Sequence, residues 1–330
     1  MMPAIRSAGW IKKRFTNTGK KMKLVSYYQN GKINLGALEN GMIYELHALN
    51  PKIADNMQSF LTNGEKQLLL AKTVLENGTA TISKDDVELV SPVPDPPSVR
   101  DAYAFRQHVA TARRNRGLEM IPEFDEIPIF YFTNHHAVFG EGDFPVRQHH
   151  TEKLDFELEC AAVIGKKGRD ISISEADDYI AGFMIMNDFS ARGLQMQEMK
   201  LNLGPAKGKD FGSSFGPCMV TKDELEKYRQ SSSDGDRYNL KMTAFVNGIQ
   251  VSEDTLANMT WTFAQIIERV SYGVDIFPGD IIGSGTCGTG CFLELNGSKI
   301  TDNQWLKHGD TVSLEIEALG KLTNKIALSD

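Results

Sequence analysis

The sequence predicts a mainly β protein of the α+β class. Segments of strand-like composition outnumber helical ones, and turn dipeptides separate them at short intervals. Strands and helices do not alternate in a sustained way, which argues against a parallel sheet built from βαβ units. The 330 residues are enough for one large domain and a smaller one.

The first part of the chain predicts a small β-rich domain. Residues 22–46 have the pattern of short strands, with turns at the Asn-Gly pairs that begin at Asn30 and Asn40. Such pairs accept the positive φ of tight hairpins. A helical stretch follows over residues 55–75. The proline-rich segment 91–97 then continues neither a helix nor a central strand.

We therefore place a domain boundary at this proline-rich segment. The small β-rich domain spans residues 22–92 and the larger domain spans residues 93–330. Residues 1–21 carry six basic side chains and no acidic one, without the apolar core of a secretion signal. We expect this extension to be disordered, or to lie upstream of a true start at Met22, with a transit peptide as the alternative.

The larger domain is expected to hold most of the strands. A helix is predicted over residues 101–116 because the apolar spacing is helical and Gly117 ends it. A strand and loop are predicted over 129–139, and strands are predicted at 156–164, 182–187, 239–247, 279–284, 291–295 and 312–318.

Composition and charge exclude several functions. The net charge of −7 and the pI near 5.6 argue against a nucleic-acid partner or an anionic membrane surface, since both need a basic face. No run of about 18 apolar residues is present to span a membrane. Four scattered cysteines are typical of reduced, buried thiols, so we expect a cytoplasmic protein.

Acidic residues give the strongest chemical signal. Glu157 and Glu159 are two residues apart on a predicted strand, so they share a face and need a cation or a proton to offset their repulsion. Asp188 follows another strand and could complete an oxygen-ligand set. The alternatives are a solvated strand face for the glutamates and a helix cap for Asp188.

A possible catalytic pair lies on the predicted helix 101–116. Asp101 and His108 are seven residues apart and would lie on one face, separated by roughly 10 Å at about 1.5 Å per residue. Asp101 could then contact a metal while His108 acts as a base. A structural role for a single histidine remains the alternative.

Two glycine-rich segments differ in what they predict. The loop 204–212 carries two lysines but lacks the phosphate-loop pattern, so Lys209 is better placed to stabilise an oxyanion. Residues 283–288 match the dinucleotide fingerprint, but a strand rather than a helix is predicted to follow them. Nucleotide binding is therefore not expected.

In this order along the chain, the motifs resemble the fumarylacetoacetate hydrolase family over residues 92–330. The run D-x-Y-x-x-R-Q-H from Asp101 is similar to the segment with that family's first metal ligand and catalytic histidine. The resemblance implies the metal ligands Asp101, Glu157, Glu159 and Asp188. It implies the catalytic residues His108, Glu294, Lys209, Arg192 and Gln195, and the substrate-binding residues Tyr103, Arg116, Tyr131 and Thr286.

The resemblance also implies a fold and a reaction. The fold would be a mixed β-roll catalytic domain behind a small SH3-like N-terminal domain, as a homodimer. A divalent metal, Mg²⁺ first and Ca²⁺ or Mn²⁺ as alternatives, would chelate a small anionic β-diketo acid. His108, oriented by Glu294, would activate water, while Lys209, Arg192 and Gln195 would stabilise the charges of C–C cleavage. The favoured substrate is fumarylacetoacetate, giving fumarate and acetoacetate as in tyrosine breakdown.

Other functions remain open on the same motifs. Met199 stands about where the diketone hydrolases have a substrate-contacting tyrosine, so the exact substrate is open. An acylpyruvate hydrolase, an oxaloacetate decarboxylase or a dienoate isomerase or hydratase would use the same scaffold. A non-catalytic protein with structural carboxylates is the remaining alternative.

Overall fold

The computed structural model describes residues 22–329. The predicted extension 1–21 lies outside them. Within the described range, no helix has the length and apolar character that crossing a bilayer requires.

Residues 22–329 form 23 strands and eight α-helices. The strands are β1 (Lys23–Gln29), β2 (Lys32–Glu39), β3 (Met42–Glu45), β4 (Ile82–Ser83), β5 (Glu88–Val90), β6 (Val99–Ala102), β7 (Phe130–Thr133), β8 (Val138–Phe139), β9 (Gly142–Val146), β10 (Leu154–Asp155), β11 (Leu158–Ile164), β12 (Gly168–Arg169), β13 (Ile180–Asn187), β14 (Ser190–Ala191), β15 (Ser213–Thr221), β16 (Arg229–Gln230), β17 (Arg237–Tyr238), β18 (Lys241–Val246), β19 (Ile249–Thr255), β20 (Asp275–Ile276), β21 (Ile281–Gly283), β22 (Thr311–Ile316) and β23 (Gly320–Leu328). The helices are α1 (Leu46–Leu49), α2 (Met57–Thr62), α3 (Glu65–Asn77), α4 (Arg106–Arg114), α5 (Ile173–Ala176), α6 (Arg192–Glu198), α7 (Phe263–Ser271) and α8 (Phe292–Gly297).

A twelve-stranded mixed sheet organises the molecule. Its main path runs β4-β3-β2-β1-β15-β13-β11-β21-β6-β7, while β5 pairs with β1 and β8 pairs with β15. A second sheet of five strands has the order β19-β18-β22-β23-β9. These mixed sheets with interspersed helices confirm the predicted mainly β, α+β class.

The N-terminal strands belong to the same large sheet. β1 pairs antiparallel with β15, so backbone hydrogen bonds connect the strands before the proline-rich segment to those after it. The turns at Asn30-Gly31 and Asn40-Gly41 have positive φ at both residues, as the sequence predicts. The division into domains at residue 92 stays a prediction.

The large sheet is buried on both of its faces around β11. Alternate side chains of β11 enter two different hydrophobic clusters: Cys160 and Ala162 join one, and Ala161 and Val163 join the other. This follows from the period of two along a strand. A polar side chain on this strand therefore lies away from bulk water.

Two predicted elements differ in the structure. Asp101 lies on β6, because that strand pairs with β21 on one side and β7 on the other, and α4 begins only at Arg106. The shared helix face predicted for Asp101 and His108 is therefore wrong. Residues 291–295, predicted as a strand, open α8, because the Asp155 carboxylate accepts hydrogen bonds from the backbone N–H groups of Phe292 and Leu293.

Candidate functional site

Three strands of the large sheet, β6, β11 and β13, bring the predicted metal ligands together. Asp101 lies on β6 and Glu159 on β11, while Glu157 directly precedes β11 and Asp188 directly follows β13. All four side chains are buried, and one carboxylate oxygen of each lies within 4.8 Å of the others. The structure thus places these four predicted residues in one cluster, although they come from three separate segments.

Two buried cations partly neutralise this carboxylate cluster. The Lys209 ammonium donates to Glu157 Oε2 and to Asp188 Oδ2, both at 2.5 Å. The Arg192 guanidinium donates to Glu157 Oε1 at 2.7 Å. Burial acts to raise the pKa of Glu157, but Lys209 and Arg192 together bring it below its usual range. Glu157 is therefore an ionised ligand candidate.

The remaining charge in the cluster suits a divalent cation. Burial, with the nearby Asp188 carboxylate, raises the pKa of Asp101 to about 8. Burial and the Asp101 and Glu157 carboxylates raise the pKa of Glu159 well above its usual range. When ionised, Glu159 Oε2 has no hydrogen-bond donor among residues 22–329. A hard cation with oxygen ligands satisfies this orphaned oxygen and removes the need for protons, so the residues fit such an ion.

A glycine makes room for the cluster. Gly283 on β21 lies between β11 and β6, opposite Asp101. A Cβ atom there would come within 2.4 Å of Asp101 Oδ1 and 3.1 Å of Glu159 Oε2. This glycine belongs to the run that matches the dinucleotide fingerprint. In the structure it allows close packing against the carboxylates of Asp101 and Glu159.

The lysine-bearing loop closes over one side of the site. Gly208 packs so tightly on Gln195 that a Cβ would lie 2.7 Å from the Gln195 backbone, and its carbonyl accepts from the Ala191 N–H. Lys209 also lines a cavity of about 270 Å³ together with Phe132 and Thr133. Burial acts to lower the pKa of Lys209, but the Asp188 and Glu157 carboxylates bring it above its usual value, which favours the charged ammonium.

The predicted histidine and glutamate form a hydrogen-bonded dyad. His108 Nδ1 lies 2.7 Å from Glu294 Oε2, and both side chains are buried. His108 belongs to α4 and Glu294 to α8, and Asn115 at the end of α4 donates to the Glu294 carbonyl at 3.3 Å. Because Nδ1 is engaged by a carboxylate, Nε2 is the ring nitrogen available to exchange a proton.

Three of the predicted substrate-binding residues contact these two groups, while Arg116 is exposed and donates to the Ala112 carbonyl at 3.1 Å. The Tyr103 ring meets the His108 ring edge-on at 5.9 Å, and burial raises the Tyr103 pKa to about 12 while the Arg116 guanidinium opposes that rise. Tyr131 donates to Asp188 Oδ2. Thr286 donates to Glu159 Oε1 at 3.3 Å. Their contacts with a substrate stay predictions.

Arg192 and Gln195 are hydrogen-bonded to each other. Arg192 is 3% exposed and donates to Asp155, Glu157 and Gln195, so it holds protein groups in this structure. Gln195 accepts the Arg192 N–H at 2.9 Å through its side-chain oxygen. Its amide NH₂ group takes no part in that bond. Their roles toward substrate stay predictions.

Sequence reasoning assigned no role to three residues that the site uses. Asp155 bonds to Arg192, and the Ser213 hydroxyl donates to Asp188 Oδ1 at 3.0 Å. Gly283 supplies the space described above. The acidic spacing D-x-E-x-E is the one local signal that could have indicated Asp155, because period two puts its side chain on the face of Glu157 and Glu159.

The similar sequences belong to one family, and several are named oxaloacetate tautomerases. Residues 98–327 match the family described as fumarylacetoacetate (FAA) hydrolase C-terminal. A mitochondrial oxaloacetate tautomerase of Rattus norvegicus is 29% identical over 323 residues, which is 96% of this chain and 95% of the relative. A mitochondrial oxaloacetate tautomerase of Homo sapiens is 31% identical, covering 87% of this chain and 84% of the relative. The oxaloacetate tautomerase YisK of Bacillus subtilis is 31% identical, covering 76% and 77%.

Solved structures share the fold. A fumarylacetoacetate hydrolase from Exiguobacterium antarcticum superposes with a TM-score of 0.70 at 24% identity, covering 93% of this chain and all of the other. A maleylpyruvate hydrolase from Sphingobium sp. SYK-6, in complex with manganese(II) and pyruvate, gives a TM-score of 0.68 at 21% identity, covering 94% of this chain and all of the other. From the family match over residues 98–327 and the relatives at 31% identity, the chain belongs to the fumarylacetoacetate hydrolase family and is an enzyme of that family.

Proposed function

We propose that this enzyme interconverts the enol and keto forms of oxaloacetate or a closely similar 2-oxo acid with the help of a divalent metal. The observation that carries the proposal is the His108–Glu294 dyad beside four buried carboxylates suited to a cation, with His108 close enough to Glu157 to act on it electrostatically. The oxaloacetate tautomerases that resemble this chain over 76–96% of its length support the choice of substrate.

Asp101, Glu157, Glu159 and Asp188 would hold the metal. When bound, it would supply a Lewis acid for the adjacent oxygens of a 2-oxo acid. Mg²⁺ is the ion we expect first, with Mn²⁺ and Ca²⁺ as alternatives that the same oxygen ligands accept.

The dyad would move the proton. In the keto-to-enol direction, His108 Nε2 takes a proton from the carbon next to the 2-oxo group, and that proton returns to the oxygen of the same group. Glu294 holds Nδ1–H in place and stabilises the imidazolium formed between the two transfers. The proton count is unchanged overall, and no water enters the products.

Positively charged side chains and hydrogen-bond donors would offset the negative charge of the substrate. Lys209 remains charged beside Glu157 and Asp188 and would offset the negative charge that develops on the substrate oxygen. Gln195 would donate through its amide group. Arg116, whose guanidinium acts on the Tyr103 hydroxyl, would attract the second carboxylate of the substrate.

Hydrolysis of a β-diketo acid, most simply fumarylacetoacetate, is the second candidate. The dyad supports hydrolysis because His108, as a base, could remove a proton from water instead of from carbon. Decarboxylation of oxaloacetate and isomerisation of a dienoate would use the same cluster.

One assay separates these candidates. The enol absorbance of oxaloacetate is followed with protein and Mg²⁺, then with EDTA, and fumarylacetoacetate is tested in parallel. We expect metal-dependent loss of enol absorbance above the protein-free rate, with no carbon dioxide released. Release of fumarate from fumarylacetoacetate, without any acceleration on oxaloacetate, would instead establish the hydrolase.

A further inference from the structure

We infer that Asp155 is a positioning residue that couples the carboxylate cluster to the His108–Glu294 dyad. This inference rests on the proposed function, because it assigns the residue to the assembly of that same site. Asp155 lies two residues before Glu157, at the end of β10, and it is fully buried.

One arm of Asp155 reaches the carboxylate cluster. Its Oδ2 accepts from Arg192 Nε at 2.8 Å, and the same guanidinium donates to Glu157 Oε1 at 2.7 Å. Arg192 is therefore held between two carboxylates, and its orientation on Glu157 depends on Asp155. Glu157 is in turn one of the four residues suited to the metal.

The other arm reaches the helix that carries the dyad. Asp155 Oδ1 accepts from the Phe292 N–H at 2.7 Å, and Oδ2 accepts from the Leu293 N–H at 2.9 Å. These groups open α8, whose residue Glu294 orients His108. A carboxylate at the first turn satisfies N–H groups that lack partners within the helix, so it determines where α8 begins.

The carboxylate cannot be replaced by an amide without loss. The Asp155 oxygens accept four hydrogen bonds, because Oδ1 also accepts from the Phe156 N–H. All four partners are donors. An asparagine presents an NH₂ group to one pair of them in either orientation, so it loses two bonds and sets donor against donor.

The test compares Asp155→Asn with Asp280→Asn. Asp280 is a buried aspartate with a similar environment outside the carboxylate cluster: it accepts from the Phe277 N–H at 2.8 Å and from Ser98 at 2.6 Å, and it lies 3.6 Å from Arg100. Both variants should lose thermal stability. Only Asp155→Asn should also weaken Mn²⁺ binding, by about 10–100-fold, as loss of a partner that orients a metal ligand does. Titration of free Mn²⁺ by electron paramagnetic resonance measures this without substrate.

A double-mutant cycle tests whether Asp155 acts through Arg192. In an Arg192→Met background, Asp155→Asn should change Mn²⁺ affinity far less than it does in the wild type. Wild-type Mn²⁺ affinity in Asp155→Asn, or an undiminished effect in the Arg192→Met background, would overturn the inference. If Asp155→Asn does not fold, Arg192→Lys is the variant to measure. A lysine keeps the positive charge but cannot donate to Asp155 and Glu157 at once with the geometry of the guanidinium. It should also weaken Mn²⁺ binding, and an unchanged affinity would overturn the inference equally.

The readout separates this inference from the proposed function. A wild-type protein that binds Mn²⁺ but does not turn over oxaloacetate contradicts the proposed function alone. A wild-type protein that is active, with Asp155→Asn binding Mn²⁺ normally, contradicts the inference alone.

Discussion

The two halves of the site are built on different supports. The carboxylate cluster is attached to β6, β11 and β13 of the twelve-stranded sheet, with β21 between two of them. The His108–Glu294 dyad is attached to α4 and α8, helices of nine and six residues. Strand pairing on both sides fixes the first half, whereas the second depends on a few helix contacts and on the Asp155 cap.

This difference suggests a division of labour. Buried neighbouring strands can hold several like charges close together, because the surrounding core prevents them from separating. Short helices are weak supports on their own and are ordered by tertiary contacts. We call the carboxylate cluster the sheet half of the site and the His108–Glu294 dyad the helix half. We therefore expect the sheet half to determine metal binding and the helix half to determine proton transfer.

Replacing Glu294 by glutamine should have the largest effect on the helix half. The change removes the charge that stabilises the imidazolium and fixes the His108 tautomer, so turnover should fall by about 10²- to 10⁴-fold. Mn²⁺ affinity should stay at the wild-type value. Steady-state kinetics with a parallel Mn²⁺ titration measure both, and Glu76→Gln, at an exposed position on α3, is the control. A matching fall in Mn²⁺ affinity would mean that the halves are not separable.

Gly283→Ala should damage the sheet half. The new methyl group would overlap Asp101 Oδ1 and lie 2.8 Å from the Met186 sulfur, which predicts a loss of about 1–3 kcal/mol in the free energy of unfolding. Mn²⁺ binding should weaken along with it. Denaturant unfolding and Mn²⁺ titration test this.

Gly193→Ala is the matched control for that change. Gly193 lies on α6, where an added Cβ would be 3.7 Å from Glu152 Oε2, an ordinary contact distance, so alanine should not destabilise the protein. Equal stability of the two alanine variants would show that the sheet half tolerates the intrusion.

Thr286→Val should have the smallest effect. It removes one 3.3 Å hydrogen bond to Glu159 Oε1 while keeping the side-chain shape, so Mn²⁺ binding should weaken by about 0.5–1.5 kcal/mol. Thr243→Val, on β18 of the five-stranded sheet, is the control and should bind Mn²⁺ normally. A loss of binding as complete as that from removing a carboxylate would give Thr286 a direct role with the metal.

The sequence predicts the sheet half more directly than the helix half. The spacing of Glu157 and Glu159 places them together through the period of a strand, and Asp188 follows a recognisable apolar strand. The long-range pairing of β6 with β21, which brings Asp101 to them, leaves no local signal. The helical spacing that begins at residue 101 predicts a helix there, whereas Asp101 lies on the strand β6.

The helix half follows from the resemblance to a family rather than from local pattern. Residues 291–295 look like a strand, and α8 forms there because Asp155, distant in sequence, satisfies its first N–H groups. The sequence motifs favour a hydrolase, whereas the similar proteins are named oxaloacetate tautomerases.

The most direct test of the divided site measures Mn²⁺ affinity and turnover in His108→Ala and Glu159→Gln side by side. His108→Ala should keep wild-type Mn²⁺ affinity while turnover falls by about 10²- to 10⁴-fold. Glu159→Gln should lose Mn²⁺ binding and turnover together, because its carboxylate belongs to the cluster. Wild-type turnover in His108→Ala, or normal Mn²⁺ binding in Glu159→Gln, would contradict the division of the site into a metal-binding part and a proton-transfer part.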